Sequence, residues 1–307
     1  MQAIQTEGVT TVYVVGGPLA ISPAVIAQIK ALPAYFPGGL VQRGTDVTVV
    51  GPIYGADGTA AGTAAKIATY YSTAYGSGVF AGAYSATGGT YNDTTGSASV
   101  SGPTSAVPTA IVVASNDWQD AMSIAPEAFN MRFPVILAGP SSSTTLGADA
   151  QAALTSLGVK QVIVIGGQLA LQNSVEAAIA ALNGGISVVR IAGIDATDTA
   201  AQIAKFALST AGVGTGLGWT ATGAKNAVLA SHVDYWTDAL GAAALGGGAN
   251  ANFGTEPIIL VENPLTVGQY TTGVLGTLGI AGISNLTVLG GSLAMPPSTV
   301  QTLLAGL

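Results

Sequence analysis

Along this chain, short apolar runs alternate with segments whose apolar residues recur at every third or fourth position. Val47 to Val50, Ala110 to Val113, Val135 to Leu137 and Val162 to Ile165 are continuous and rich in β-branched residues. Such runs, with no polar residue alternating, predict parallel strands buried on both faces. Thr63 to Tyr71, Asp120 to Phe129, Ala148 to Leu157 and Ser174 to Leu182 carry the helical spacing instead. The alternation predicts βα units and an α/β fold with parallel sheets.

The alternation is itself repeated. VTTVYVVGGPLAISPAVIAQIKAL (Val9 to Leu32), VKQVIVIGGQLALQNSVEAAIAAL (Val159 to Leu182) and SNLTVLGGSLAMPPSTVQTLLAGL (Ser284 to Leu307) each run from an apolar stretch through a Gly-Gly pair to a helical segment. Gly8 and Gly158 each precede the first glycine of their pair by eight residues. Pro134-Val-Ile-Leu lies 32 residues before Gly166, and Pro257-Ile-Ile-Leu lies 33 before Gly290. TAAKIA (Thr63 to Ala68) and TAAQIA (Thr199 to Ala204) stand earlier still. The spacing predicts one partial module at 1–40 and two complete ones at 41–186 and 187–307. The second differs by extra residues around Pro33 to Asp46 and a Gly/Ser/Thr-rich surface loop at 72–108. Copies of one supersecondary unit must stack to bury their faces. That points away from a one-site enzyme.

Charge is the anomaly in the composition. Only 7% of residues are charged, where about 25% is usual. Fifteen acidic against eight basic residues leave a net charge of −7. No basic patch is present, which argues against nucleic acid as a partner. Absence of cysteine excludes disulfides and thiolate metal sites. No apolar run reaches the roughly 18 residues of a membrane span, so no membrane insertion is expected. No secretory leader is visible. So little charge is rare in cytosolic proteins, and the residues read as those of a mature extracellular chain. A weakly charged surface repels its neighbours little, which suits packing against copies of itself or life in acid.

The motif order carries a resemblance. Arg190-Ile-Ala-Gly193 with Asp195 and Thr199, then Trp236-Thr-Asp238-Ala-Leu240, then Pro257 to Leu260, then Leu289-Gly290-Gly291 follow one another in the last module. The second module gives Trp118-Gln-Asp120-Ala-Met122, Pro134 to Leu137 and Ile165-Gly166-Gly167. In this order the chain resembles the cell-wall-binding repeat type 2 family across nearly its whole length. The resemblance implies parallel-sheet βα modules, normally three, around a pseudo-threefold axis. It also implies surface proteins, often surface-layer components, held non-covalently through an anionic wall polymer. Where the family carries Asp-Arg-Tyr, this chain has Asp195-Ala196-Thr197 and Thr59-Ala60-Ala61. An arginine suited to a phosphate or carboxylate is missing both times.

The candidate site residues have plain structural readings beside the functional ones. Each Gly-Gly pair could seat a phosphate at a helix start, or simply permit a tight turn. No dinucleotide fingerprint accompanies them, so no cofactor is expected. Asp117 with Asp120, and Asp234 with Asp238, could be paired acids or ordinary helix caps. Their oxygen ligands are too few for calcium. Trp118 and Trp236 recur beside these aspartates, as core residues or as a sugar platform. His232, the lone histidine, stands in Ser231-His-Val-Asp234, and neighbours in one segment do not build a triad. Zinc chemistry is excluded with it. Asn92 and Asn285 head glycosylation sequons.

The sequence therefore predicts a non-enzymatic, extracellular, cell-surface protein. The leading expectation is a self-assembling subunit of a surface layer or filament, its partial first module completed by a neighbouring subunit. The alternative is an anchoring module that grips a wall polysaccharide. The groove candidates are Trp118, Asp120, Gly166, Gly167, Arg190, Asp195, Thr199, Trp236, Asp238, Gly290 and Gly291.

Overall fold

Strands form where the apolar runs fall, and helices where the spacing is helical. A computed structural model describes residues 1–36, 38, 42–75, 83–84, 107–208, 217, 219, 225–231, 236–248, 255–276 and 283–305. The chain opens with α1 (Gln2–Thr6), β1 (Thr11–Val15), α2 (Pro23–Lys30), β2 (Pro33–Tyr35), β3 (Gln42–Asp46), β4 (Thr48–Ile53) and α3 (Ala60–Tyr75). The centre carries β5 (Ala83–Tyr84), β6 (Val107–Val113), α4 (Trp118–Ser123), α5 (Ala125–Met131), β7 (Val135–Leu137), α6 (Ala148–Ser156), β8 (Gln161–Ile165) and α7 (Asn173–Ala180). The last part holds β9 (Ser187–Ile191), α8 (Ala196–Leu208), β10 (Lys225–Ser231), α9 (Ala242–Gly247), β11 (Ile258–Val261), α10 (Gln269–Gly276), β12 (Ile283–Val288) and α11 (Pro297–Ala305).

Two predicted features come out differently. The helix expected over Asp120 to Phe129 is broken at Ile124 into α4 and α5. Pro126 sits in the first turn of α5, where a missing N–H costs nothing, but it cannot continue a helix from α4. The extra residues around Pro33 to Asp46 form the antiparallel β2–β3 pair. Of the Gly/Ser/Thr-rich loop only its ends and Ala83–Tyr84 are described, and Asn92, His232 and Asp234 lie outside the described residues.

The central sheet is parallel. β6 pairs with β7 on one side and β8 on the other, and β8 pairs with β9. All five residues of β8 are buried, as the unbroken QVIVI run predicts. One face of the sheet packs Val112, Ile136, Val162, Val164 and Val188 against α3, α6 and α7. The other packs Ile111, Val113, Ile163, Ile165 and Ile191 against α5 and α8. A second parallel sheet runs β11-β10-β12, and β1 pairs with β4.

The sheets are offset from the sequence repeats by one strand. β9 opens the third repeat yet completes the sheet of the second, as β4 pairs with β1 of the first. Helix α8 joins the repeats further. Its residues Ile203 and Phe206 enter the core of the central sheet, while Ala201, Ala204 and Leu208 enter that of the last sheet. Where α5 meets α9, the Asn130 amide donates to the Gly247 carbonyl at 2.9 Å. Side chains on Gly246 or Gly247 would strike the backbone of Glu256 or Pro126.

The eight-residue spacing from a lone glycine to each Gly-Gly pair now has a cause. Gly8 and Gly158 lie just past the ends of α1 and α6 with φ of +64°. Val9 and Val159 donate back to the Ile4 and Leu154 carbonyls at 3.0 and 3.2 Å, closing the helix end in the way an αL glycine allows. The interval is then a helix stop, one strand and the next turn.

The first repeat does not bury what the second does. Tyr13 and Val15 of β1 are 37% and 43% exposed, whereas Ile163 and Ile165 at the matching positions of β8 are 1% and 0%. No residue of α2 is buried, while α7 buries Val175 and Ile179.

Candidate functional site

The Gly-Gly turns stand at the carboxyl ends of the strands, where open α/β sheets form their crevices. Gly16, Gly166 and Gly290 have φ of +111°, +98° and +97°. Gly166 donates its N–H to the Ile191 carbonyl at 2.9 Å, and Gly16 does the same to Ile53. These two turns thereby tie a repeat to a strand of the next. Ala170 donates to Gly167 at 3.0 Å, with Ala20 and Ala294 repeating the bond at 2.9 and 3.0 Å. The first glycine of G-G-x-x-A is required by space. A Cβ on Gly166 would lie 2.9 Å from that of Ala170 and 2.2 Å from Asp120 Oδ2.

Asp120 is therefore pressed against the turn. It projects from α4 and is 3% exposed. Burial pushes its carboxyl well above the ordinary range, Asp117 adds to the rise, and Arg190 opposes it. No hydrogen bond reaches this carboxylate among the described residues. In the last repeat Asp238 Oδ2 lies 2.6 Å from the Cβ position of Gly290, which repeats the geometry at a more open place.

Arg190 faces inward. Its Nη2 donates to Glu176 Oε2 at 2.6 Å and to the Leu171 carbonyl at 2.9 Å, its Nε to Glu176 Oε2 at 3.1 Å, and its Nη1 to the Gly166 carbonyl at 2.6 Å. The guanidinium clamps the underside of the Gly-Gly turn. Asp195 caps α8, accepting from the Thr197 hydroxyl at 2.7 Å and the Asp198 amide at 2.9 Å. The Thr199 hydroxyl accepts from the Gly193 amide at 3.0 Å. Trp118 packs against the core that joins the second and third repeats. Trp236 begins the 3-10 turn Trp236–Gly241, and its side chain lies outside the described residues. Asn285 stands on β12 beside Asn226 of β10.

These elements enclose a groove of about 410 Å³. Asp120, Gly167, Asp195 and Thr199 line it together, whereas Trp118, Gly166 and Arg190 support it from outside the lining. Asp238, Gly290 and Gly291 belong to the separate turn of the last repeat. A second cleft of about 690 Å³ shares Asp195 with the first and runs on past Thr197 to Glu262 and Tyr270. Among the described residues, no lysine or arginine lines either.

Three lining features escaped the sequence reading. Asn116 and Ser141 hold each other across the ends of β6 and β7, with Ser141 N to Asn116 Oδ1 at 2.7 Å. Ile194 projects beside them. Leu169, at the tip of the turn, is 90% exposed, and its counterparts Leu19 and Leu293 are 104% and 75% exposed. A leucine left in water at the same place in three repeats was readable in the aligned G-G-x-L-A strings.

Among the described residues, no helix is long and apolar enough to cross a membrane. Nor does any group of three or more His, Cys, Asp or Glu among them stand where it could hold a metal ion.

Comparison with known proteins bears out the resemblance. Residues 190–300 match the model of cell wall binding domain 2 (CWB2). The chain is 35% identical over 97 residues to the N-acetylmuramoyl-L-alanine amidase LytC of Bacillus subtilis (strain 168), a match covering 32% of this chain and 18% of that protein. Among solved structures, Cwp8 from Clostridium difficile superposes with a TM-score of 0.63 at 21% identity, over 98% of this chain and 38% of Cwp8. Cwp6 from the same organism gives 0.58 at 20% identity, over 82% of this chain and 31% of Cwp6. Each of these three matches leaves most of the other protein uncovered. The α/β fold with parallel sheets is shared with both solved structures.

Proposed function

We propose, taking the cell wall binding domain 2 at residues 190–300 as premise, that this chain is an extracellular protein held on the cell surface by non-covalent binding of a wall polysaccharide. The groove at the strand ends carries the reading. It combines a buried acid, hydroxyls and amides with exposed apolar side chains, which is the mixture a sugar ring presents in return. Because the two clefts meet at Asp195, a linear polymer can lie across both. The role is binding rather than catalysis. The match to an amidase spans only 18% of that enzyme, and amidase activity is not carried over.

The test is co-sedimentation of the purified chain with isolated cell walls, before and after stripping of wall-linked polysaccharide. Binding that disappears with the polysaccharide supports the reading. Failure to sediment with intact walls overturns it.

Self-assembly into a surface layer or filament is the second reading. The exposed Tyr13 and Val15, whose counterparts are buried one repeat later, favour a further copy covering that face. Negative-stain microscopy without wall material, from pH 3 to 8, decides it. Sheets or filaments support it, and uniform single particles at every pH overturn it.

A further inference from the structure

The joint between the second and third repeats shows how one module seats another. Helix α4 of the second repeat packs on α8 and β11 of the third. Its Trp118 and Met122 share one apolar core there with Ala200, Ile258 and Leu260, and Met122 is 5% exposed. One repeat earlier the same floor recurs without that cover. TAAKIA matches TAAQIA, and Pro134-Val-Ile-Leu matches Pro257-Ile-Ile-Leu. Ala64 of α3 therefore stands for Ala200, and Val135 and Leu137 of β7 stand for Ile258 and Leu260. Ala200, Ile258 and Leu260 are fully buried, whereas Ala64, Val135 and Leu137 are only partly so. All three line an open apolar cleft of about 880 Å³, beside Ile67 and the exposed Phe129. An apolar floor left open on a chain of repeats marks a place where a further element stacks. The element that fits is written in the sequence twice. Trp118-Gln-Asp-Ala-Met122 and Trp236-Thr-Asp-Ala-Leu240 are the chain's two Trp-x-Asp-Ala strings. The first is engaged within the chain. The second lies in the turn Trp236–Gly241, and Leu240, in the place of Met122, is 60% exposed.

We propose that the cleft between α3 and β7 takes the Trp236–Gly241 turn of a second copy of this chain, with Leu240 seated among Ala64, Val135 and Leu137 as Met122 is seated among their counterparts. This rests on the self-assembly reading and names its interface. Cleft and turn are different surfaces on different repeats, so the contact is head-to-tail. Each added copy leaves one cleft and one turn open at the two ends, and growth continues into a filament unless the rotation closes a ring.

The test is sedimentation velocity of the full chain and of two variants. Leu240→Asp puts a charge on the exposed turn, and Ala64→Phe fills the cleft from its open side. Each variant alone should sediment as a monomer at concentrations where the unaltered chain associates. Mixed, they should form dimers and nothing larger, because the Ala64→Phe chain offers its intact turn to the intact cleft of the Leu240→Asp chain. The chain has no cysteine, so a second measurement needs no background correction. Leu240→Cys in one chain and Val135→Cys in another should give, on mixing and oxidation, at least about tenfold more disulfide-linked dimer than either alone, and this pair carries the test if Ala64→Phe fails to fold. Association that survives Leu240→Asp, or a mixed disulfide no more abundant than either self-pairing, overturns the proposal and leaves the self-assembly reading standing. Association lost in both variants and not restored on mixing also overturns it. An unaltered chain that stays monomeric at every concentration overturns the interface and the self-assembly reading together.

Discussion

Replacing Gly166 by alanine separates two neighbouring glycines that look alike in the sequence. At Gly166 the backbone has φ of +98°, and the new Cβ would lie 2.2 Å from Asp120 Oδ2 and 2.9 Å from the Ala170 Cβ. Backbone strain of an L-residue there costs about 1–3 kcal/mol. Overpacking against neighbours that cannot yield adds about 1–3 kcal/mol. Ala170 has no side-chain torsion with which to yield, so Gly166→Ala should destabilise the protein by about 3–5 kcal/mol. At Gly167 the nearest atom to a Cβ is the Gly193 carbonyl oxygen at 3.8 Å, and φ lies outside the left-handed region. Gly167→Ala should therefore change stability by less than about 0.5 kcal/mol. Gly158 isolates the backbone contribution, since its φ is +64° and nothing lies within 4 Å. Gly158→Ala should cost about 1–2 kcal/mol. The assay is urea unfolding, with midpoints compared at unchanged slope. Asp120→Ala in the Gly166→Ala background should recover about 0.5–3 kcal/mol of coupling. If Gly166→Ala and Gly167→Ala unfold at the same midpoint, or Asp120→Ala gives no recovery, the packing account of the turn is wrong.

Three further outcomes follow from the same geometry. Arg190→Lys should destabilise by about 2–4 kcal/mol, because one ammonium cannot serve Glu176 and both carbonyls; wall binding by the folded fraction should persist. Glu127 is fully buried, neither of its oxygens has a partner, and burial raises its carboxyl well above the ordinary range. The folded state thus holds this proton more tightly than the unfolded chain. Its contribution is greatest below the unfolded value near 4.5 and is lost as pH climbs through the raised folded one, so Glu127→Gln should flatten the fall in urea midpoint with rising pH. Asn183 adopts φ of +53°, and its amide donates to the Leu154 and Val159 carbonyls at 3.0 and 2.9 Å. Asn183→Ala should lower stability by about 2–3 kcal/mol and Asn183→Gly by less, as read by the same urea midpoints.

Much of the fold was legible because periodicity reports which faces of an element are buried. The run Val162 to Ile165 could only be a strand covered on both sides, and the G-G-x-x-A strings could be seen as one recurring turn. Pairing partners were not legible. Nothing in Ser187 to Ile191 says that it joins the sheet of the preceding repeat, because a strand's neighbours are set by the packing of distant helices such as α8. The site was half legible for the same reason. Asp120 and Arg190 stood out as charges in a chain with few, but only three dimensions reveal that one faces the groove and the other clamps the turn from below. Leu169 was passed over as an ordinary apolar residue, since exposure cannot be read from a single position.

The strand shared between successive repeats bears on how such a molecule carries tension. Separating the second repeat from the third means sliding β9 along β8, a parallel ladder of five registered pairs from Gln161 with Ser187 to Ile165 with Ile191. Strands loaded along their length give way together rather than one bond at a time. Arg190 rides on β9 while Glu176 belongs to α7, so the same motion must also tear that ion pair. A protein tethered to an envelope and pulled by flow would lengthen at its loops well before the repeats part, and its grip on the wall would outlast the straightening of everything between them.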